Sequence, residues 1–221
     1  RNAVRMAALM HQPNILVYTH DSIGLGEDGP THQPVEHLAS LRAMPNVNVF
    51  RPADAVETAE CWEAALKAKK TPSILSLSRQ GLPLVRTDYS SDNLSAKGAY
   101  ELSGASSDAK VTILATGSEV SVALDAQKTL EAEGIGTRVV SVPSMELFDA
   151  QSQDYKRDTL GPGTAKVAIE AACSFGWEKY IGIDGAFVGL NSFGASAPAG
   201  ELYKHFNITS EAVVAAAKKQ L

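Results

Sequence analysis

Cysteine is nearly absent from this 221-residue chain: only Cys61 and Cys173 occur, far apart in sequence. Neither is flanked by histidines at metal-ligand spacing, so no disulfide framework and no zinc motif is expected, and a cytoplasmic protein is. Basic runs are missing too. No stretch of Lys or Arg exceeds two residues and the formal charge is −5, so the basic face that nucleic-acid binding requires is not there. No apolar run is long enough to span a bilayer. Without a secretory leader, Asn207-Ile208-Thr209 is an accidental match to the glycosylation pattern. An initiator methionine is also lacking. The chain opens at Arg1 directly before the helix-like segment from Asn2 to Met10, and the expectation is a piece cut from a larger protein.

What is present is an ordinary globular balance, 44% hydrophobic and 20% charged residues, enough to bury a core in one large or two small domains. Apolar runs alternate with amphipathic stretches. Strands are expected at Ile15 to Tyr18, Val47 to Phe50 and Ser73 to Leu77, with helices over Pro34 to Met44 and Ala55 to Lys69. This β-α-β alternation implies an α/β fold with mostly parallel sheets. Residues 86–96 (RTDYSSDNLSA) lack periodicity and read as a linker. Beyond them a second unit is expected, with strands at Val111 to Ala115, Val139 to Val142, Val167 to Ile169 and Tyr180 to Ile183. It includes a helix from Ser118 to Glu133 stopped by Gly134, and a last helix capped by Thr209. The chain is expected to divide into two α/β units, split near residue 90.

The segment from Thr19 to Glu36, THDSIGLGEDGPTHQPVE, concentrates the chemistry. It leaves the end of a buried strand, where ligands sit in α/β sheets. Gly24-Leu25-Gly26-Glu27-Asp28-Gly29 matches the dinucleotide pattern G-x-G-x-x-G, but physics opposes that role. Glu27 and Asp28 would set two carboxylates beside a pyrophosphate, Pro30 offers no N–H, and no acidic residue closes the second strand. His20, Asp28 and His32 are either a self-stabilised turn or a site; three such groups on one irregular loop favour the site. An imidazole can donate to a phosphate or sugar oxygen, and a carboxylate can accept from two hydroxyls. Arg79, after the third strand, is either a phosphate-binding guanidinium converging on the same sheet edge or a surface residue closing a strand. Ser118, in Thr116-Gly117-Ser118-Glu119, reads as a helix cap, and turn roles suffice for Glu170 and for the glycine-rich stretch Gly182 to Gly194.

The string from His20 to Glu36 closely resembles the transketolase family, thiamine-diphosphate enzymes that move two-carbon ketol units between sugar phosphates. The resemblance extends through Pro45-Asn46, Arg51-Pro52-Ala53-Asp54, Ser78-Arg79-Gln80, Ala115-Thr116-Gly117-Ser118-Glu119 and Phe193-Gly194-Ala195-Ser196-Ala197-Pro198, from end to end of the chain. Deoxyxylulose-phosphate synthases and ketoacid dehydrogenase β subunits share parts of the Asp28 to His32 core without pairing Thr19-His20-Asp21-Ser22 with Ser78-Arg79-Gln80. Dihydroxyacetone synthase stays as an alternative, as does a non-catalytic dimerisation or regulatory module.

The resemblance implies that residues 1–88 are the rear part of a truncated pyrimidine-binding domain and 89–221 a three-layer transketolase C-terminal domain. It implies a place in the pentose phosphate pathway, with His20 and Arg79 on the sugar's terminal phosphate and Asp28 on a hydroxyl. His32 takes the catalytic position near the cofactor's aminopyrimidine and the substrate's first carbons. The family's cofactors are thiamine diphosphate and Mg2+, its partners sugar phosphates and a homodimer subunit. The activating glutamate and the aromatic pocket of the family would lie upstream of Arg1. Ile183-Asp184-Gly185 and Glu27-Asp28-Gly29 fail its Gly-Asp-Gly…Asn metal motif. No complete cofactor site, no metal site and no activity of the chain alone are therefore expected.

Overall fold

Ile15-Leu16-Val17-Tyr18-Thr19 forms a strand whose partner lies nearly sixty residues later, and that pairing organises the first half of the chain. The computed structural model describes residues 1–88 and 90–221. Its first unit runs α1 (Asn2–Leu9), β1 (Ile15–Thr19), α2 (His37–Arg42), β2 (Asn48–Phe50), α3 (Ala55–Lys67) and β3 (Ser73–Leu77). The three strands are parallel in the order β1-β3-β2, with Ile15 opposite Ser73 and Thr19 opposite Leu77. Asp54 starts α3 by accepting the Glu57 N–H at 2.8 Å, a standard N-cap.

The second unit runs β4 (Tyr100–Ser103), β5 (Ala109–Ala115), α4 (Glu119–Ala132), β6 (Gly136–Ser141), α5 (Met145–Asp149), α6 (Gln153–Leu160), β7 (Ala165–Ile169), α7 (Glu178–Ile181), β8 (Ala186–Val188), α8 (Ala199–His205) and α9 (Ser210–Lys218). Its sheet has the order β4-β6-β5-β7-β8, parallel except for β4. Successive strand residues face opposite sides. Val111, Ile113 and Ala115 pack with α4 and α9, and Leu114 joins Met145, Phe148, Trp177 and Tyr180 on the other side. The result is three layers, helix on sheet on helix. Helix α4 ends as expected: Gly134, at φ +79°, donates to the Glu131 carbonyl, and Ile135 to that of Leu130, a Schellman motif. Thr209 caps α9 by accepting the Ala212 N–H.

Three expectations need correction. Tyr180 to Ile183 is not a strand; Glu178–Ile181 is one helical turn closed by Gly182 at φ +73°, and the strand is Ala186–Val188. A short apolar run fits either conformation by pattern, and here Trp177, Tyr180 and Ile181 need one helical face to reach the same cluster. Ser118 does not cap α4. Its own backbone is helical, and its hydroxyl instead donates to Glu119 Oε1 at 2.7 Å and accepts from Arg51 Nη2 at 3.2 Å. The segment 86–96 is no loose tether either. Asp54 Oδ2 accepts the N–H groups of Val85 and Arg86, Glu60 accepts from Asn93 and twice from Ser95, and Ser95–Lys97 makes a short 3-10 turn. Tyr89, within that segment, lies outside the described residues.

The two units meet over buried charge. Arg51, directly after β2, is fully buried; its Nε donates to Asp21 Oδ2 at 2.7 Å and its Nη1 to Glu119 Oε2 at 2.5 Å and the Thr116 carbonyl at 2.8 Å. Glu170, which follows β7, receives both Nη groups of Arg42 at 2.8 Å and the Trp177 indole N–H at 2.7 Å. The turn roles expected for Glu170 are thus replaced by a buried ion pair between α2 and the second sheet. Burial pulls the Arg51 guanidinium down, but Glu119, Asp21 and Glu170 outweigh it and hold it charged well above its ordinary value. Burial pushes the Glu170 carboxyl up, and Arg42, together with Arg51 and the Trp177 indole, more than reverses this, leaving it below its ordinary value.

Two outcomes follow. Arg51→Ala strands buried carboxylates and should cost about 3–5 kcal/mol, read as a lowered denaturant midpoint; a loss below 1 kcal/mol contradicts the assigned network. Because the Glu170 pKa is depressed on folding, its stabilising share is complete above the unfolded value of about 4.3 and is lost as pH falls below it. Unfolding free energy should therefore drop less between about pH 5 and pH 3 in Glu170→Gln than in the parent chain, and equal slopes would exclude this contribution.

Candidate functional site

Parallel pairing of β1 with β3 sets the site. Thr19 lies opposite Leu77, so the residues that follow the two strands, His20 after β1 and Ser78-Arg79 after β3, leave the sheet side by side. This is the carboxyl end of a parallel sheet, where ligands of α/β proteins bind. His20 has φ +67°, the left-handed region that non-glycine residues rarely occupy. Its ring Nδ1 is 2.8 Å from Thr19 Oγ1. A cleft of about 540 Å³ opens here, lined among others by Arg1, Tyr18, Thr19, His20, His37 and Ser76, within the size range of small-molecule sites.

Past Asp21 the chain makes a 3-10 turn, Ile23–Leu25, and continues without regular structure to α2. Its apolar residues point away from water: Ile23 and Val35 sit in the core of the second unit beside Val111 and Ile113. Gln33 is buried and its amide donates to the carbonyls of Gly26 and Ala195, both at 2.8 Å. Ser196 Oγ donates to the Glu27 carbonyl. Segment 195–198, ahead of α8, thus forms a floor under the loop.

On that floor Asp28 and His32 are exposed, as are His20 and Arg79. His32 Nδ1 lies 3.0 Å from Thr31 Oγ1, and the His32 N–H donates to the Gly29 carbonyl. The structure therefore brings the segments carrying His20 and Arg79 out at the same end of the sheet and holds Asp28 and His32 on one pinned loop. The cleft itself is lined by His20 alone of these four.

The glycines of G-x-G-x-x-G are spent on packing. A side chain at Gly24 would run into the Gln80 amide at 2.3–2.7 Å. Gly26, at φ +94°, lies against Ala197 and Ala199. The Gly24 N–H goes to Ser22 Oγ and that of Gly26 to the Ile23 carbonyl, so neither is offered to a pyrophosphate. The helix that such a motif must open begins only at His37.

Neither partial match to the family's diphosphate and metal motif, Ile183-Asp184-Gly185 or Glu27-Asp28-Gly29, has an Asn at the required distance. Gly185, beside Asp184, is packed against the Ile181 carbonyl, 2.4 Å from where its Cβ would lie. Among the described residues no group of three or more His, Cys, Asp or Glu side chains is placed to hold a metal. None of their helices is long and apolar enough to cross a membrane.

Sequence reading passed over Asp21, Arg51, Glu119 and Glu170 as site-supporting residues. One signal was available: Arg51 and Glu170 each directly follow an apolar strand, where a charge must find a buried partner.

Comparison with known proteins places this geometry. Residues 1–85 match the family model for the transketolase pyrimidine binding domain, and residues 98–209 that for the transketolase-like TK C-terminal domain. Transketolase of Sinorhizobium medicae (strain WSM419) is 59% identical over 222 positions, covering 100% of this chain and 32% of that protein. The crystal structure of a Pichia stipitis transketolase complex with sedoheptulose 7-phosphate is 46% identical, with a TM-score of 0.92 over 99% of this chain and 32% of its own. A split-gene transketolase described as an inactive beta4 tetramer is 27% identical, with a TM-score of 0.75 over 94% of this chain and 66% of its own. The chain spans about a third of the length of the curated relatives it matches. With both of its sheets matched by the two family models, this chain belongs to the transketolase family.

Proposed function

We propose that the chain supplies the sugar-phosphate side of a transketolase active site, as the C-terminal third of an enzyme that transfers a two-carbon ketol unit from a ketose phosphate to an aldose phosphate. The observation that carries this reading is the register of Thr19 with Leu77, which launches an imidazole and a guanidinium from adjacent strand ends. In this reading His20 and Arg79 bind the terminal phosphate, the guanidinium through paired hydrogen bonds. Asp28 accepts from a sugar hydroxyl. His32 stands by the reacting carbons and holds or passes a proton there.

Members of the family depend on thiamine diphosphate, which supplies the carbanion chemistry. In this reading the cofactor and Mg2+ are held by other parts of the enzyme, since the chain lacks a complete Gly-Asp-Gly…Asn motif, and no binding of either is assigned to these 221 residues. A second copy is the proposed partner, making a homodimer; the tetrameric split-gene neighbour supports an assembled state. The unit boundary is proposed between residues 88 and 89, and a cytoplasmic setting in the pentose phosphate pathway completes the reading.

In the complete enzyme, His20→Ala and Arg79→Ala should each raise KM for a phosphorylated aldose by about 10–100-fold, the worth of a charge-assisted hydrogen bond. KM for unphosphorylated glycolaldehyde should stay nearly constant; equal losses on both acceptors would sink the phosphate assignment. The purified 221-residue chain, given thiamine diphosphate and Mg2+, should show no ketol transfer, and turnover by it overturns the division of labour proposed here.

A further inference from the structure

His20 is bracketed. Thr19 before it is locked in the sheet opposite Leu77, and Asp21 after it is buried with its carboxylate on Arg51. Between these anchors His20 holds a left-handed backbone, a conformation that persists only when its surroundings over-determine it. With Nδ1 tethered to Thr19 Oγ1, Nε2 is the ring nitrogen available to a ligand.

The anchor at Asp21 does not end in the first unit. Arg51 passes from Asp21 to Glu119 at the start of α4, to the Thr116 carbonyl and to Ser118 Oγ. Glu119 is itself held by the Tyr203 hydroxyl at 2.7 Å and the Ala171 N–H at 2.9 Å. The side chains of Arg51 and Glu119 are wholly buried and that of Asp21 is 2% exposed. A buried ion cluster is a poor device for adding stability, since apolar residues of like volume do as well or better. It is, however, directional: a guanidinium with both edges occupied fixes each carboxylate in angle as well as distance.

We propose that Asp21, Arg51 and Glu119 are positioning residues, a relay through which the second unit fixes His20 for phosphate recognition. The proposal rests on the phosphate-binding reading of His20. It gives the C-terminal unit a definite task within the active site although none of the relay residues touches substrate. Loss of the Asp21 carboxylate charge would leave Arg51 to its partners in the second unit and let residues 20–22 relax toward ordinary backbone conformations.

The test uses two isosteric variants, Asp21→Asn and Glu119→Gln, in the complete enzyme, with far-UV circular dichroism and thermal unfolding to verify folding. Both should raise KM for a phosphorylated aldose by about three- to thirty-fold, the range of measured long-range couplings, and leave KM for glycolaldehyde and kcat within about twofold. The double variant should be no worse than the more affected single one, because both lie on one path. Unchanged KM for the phosphorylated acceptor in either folded variant overturns the relay, as does an equal rise for both acceptors. Should Asp21→Asn fail to fold, Glu119→Gln, one residue further from His20, decides alone. His20→Ala separates the two levels. Normal KM in that variant sinks the phosphate reading itself, whereas raised KM there beside normal KM in Asp21→Asn sinks only the relay.

Discussion

A guanidinium without water must be surrounded by acceptors, and Arg51 satisfies that demand with residues from both halves of the chain. Asp21 comes from the loop after β1, Glu119 and Thr116 from the β5–α4 turn, and Glu170 stands 3.8 Å away after β7. None of these groups can be withdrawn without stranding a buried charge, so the first sheet, the loop after β1 and the second sheet are held in one arrangement. Gly117 shows how tight that arrangement is. It sits at φ +58° with the Arg51 side chain 2.8 Å from where a Cβ would lie, and its N–H donates to the Arg51 carbonyl. The close approach leaves no room for any other residue.

Charge is thereby sorted into two kinds. Asp21, Arg51, Glu119 and Glu170 are buried and paired, with Arg42 mostly buried against Glu170, and they orient the fold. His20, Asp28, His32 and Arg79 are exposed; His20 adjoins the buried Asp21, and segment 195–198 pins the loop that carries Asp28 and His32. A binding site performs best when its contact groups stand on a rigid support. In the proposed site the support is furnished largely by the C-terminal unit, while the proposed contact groups come from the first.

How much of this was legible in the sequence depended on the distance over which each feature is decided. Local signals were sound: Thr209 as a cap, Gly134 as a stop, and the alternation that foretold parallel sheets. The acidic pair Glu27-Asp28 and Pro30 correctly argued against a dinucleotide fingerprint, and the glycines prove to be packed against Gln80 and segment 197–199. Signals that require a partner elsewhere failed. Ser118 looked like a cap because Arg51, far away in sequence, was not there to claim its hydroxyl. Tyr180-Ile181 looked like a strand because its neighbours Trp177 and Phe148 could not be seen to demand a helical face. Tyr100–Ser103 went unnoticed because it becomes a strand only by pairing with β6.

The sequence by itself determined the fold class, the transketolase resemblance and the chemical identity of the loop, because apolar periodicity, turn residues and motif order are properties of neighbouring residues. Tertiary structure alone decided that His20 and Arg79 emerge together, that Gln33 and Ser196 close a floor beneath the loop, and that Arg51 ties the two sheets. Each of these is a contact between segments tens to more than a hundred residues apart. Their energy comes from desolvation and geometry, and both exist only once the chain has folded.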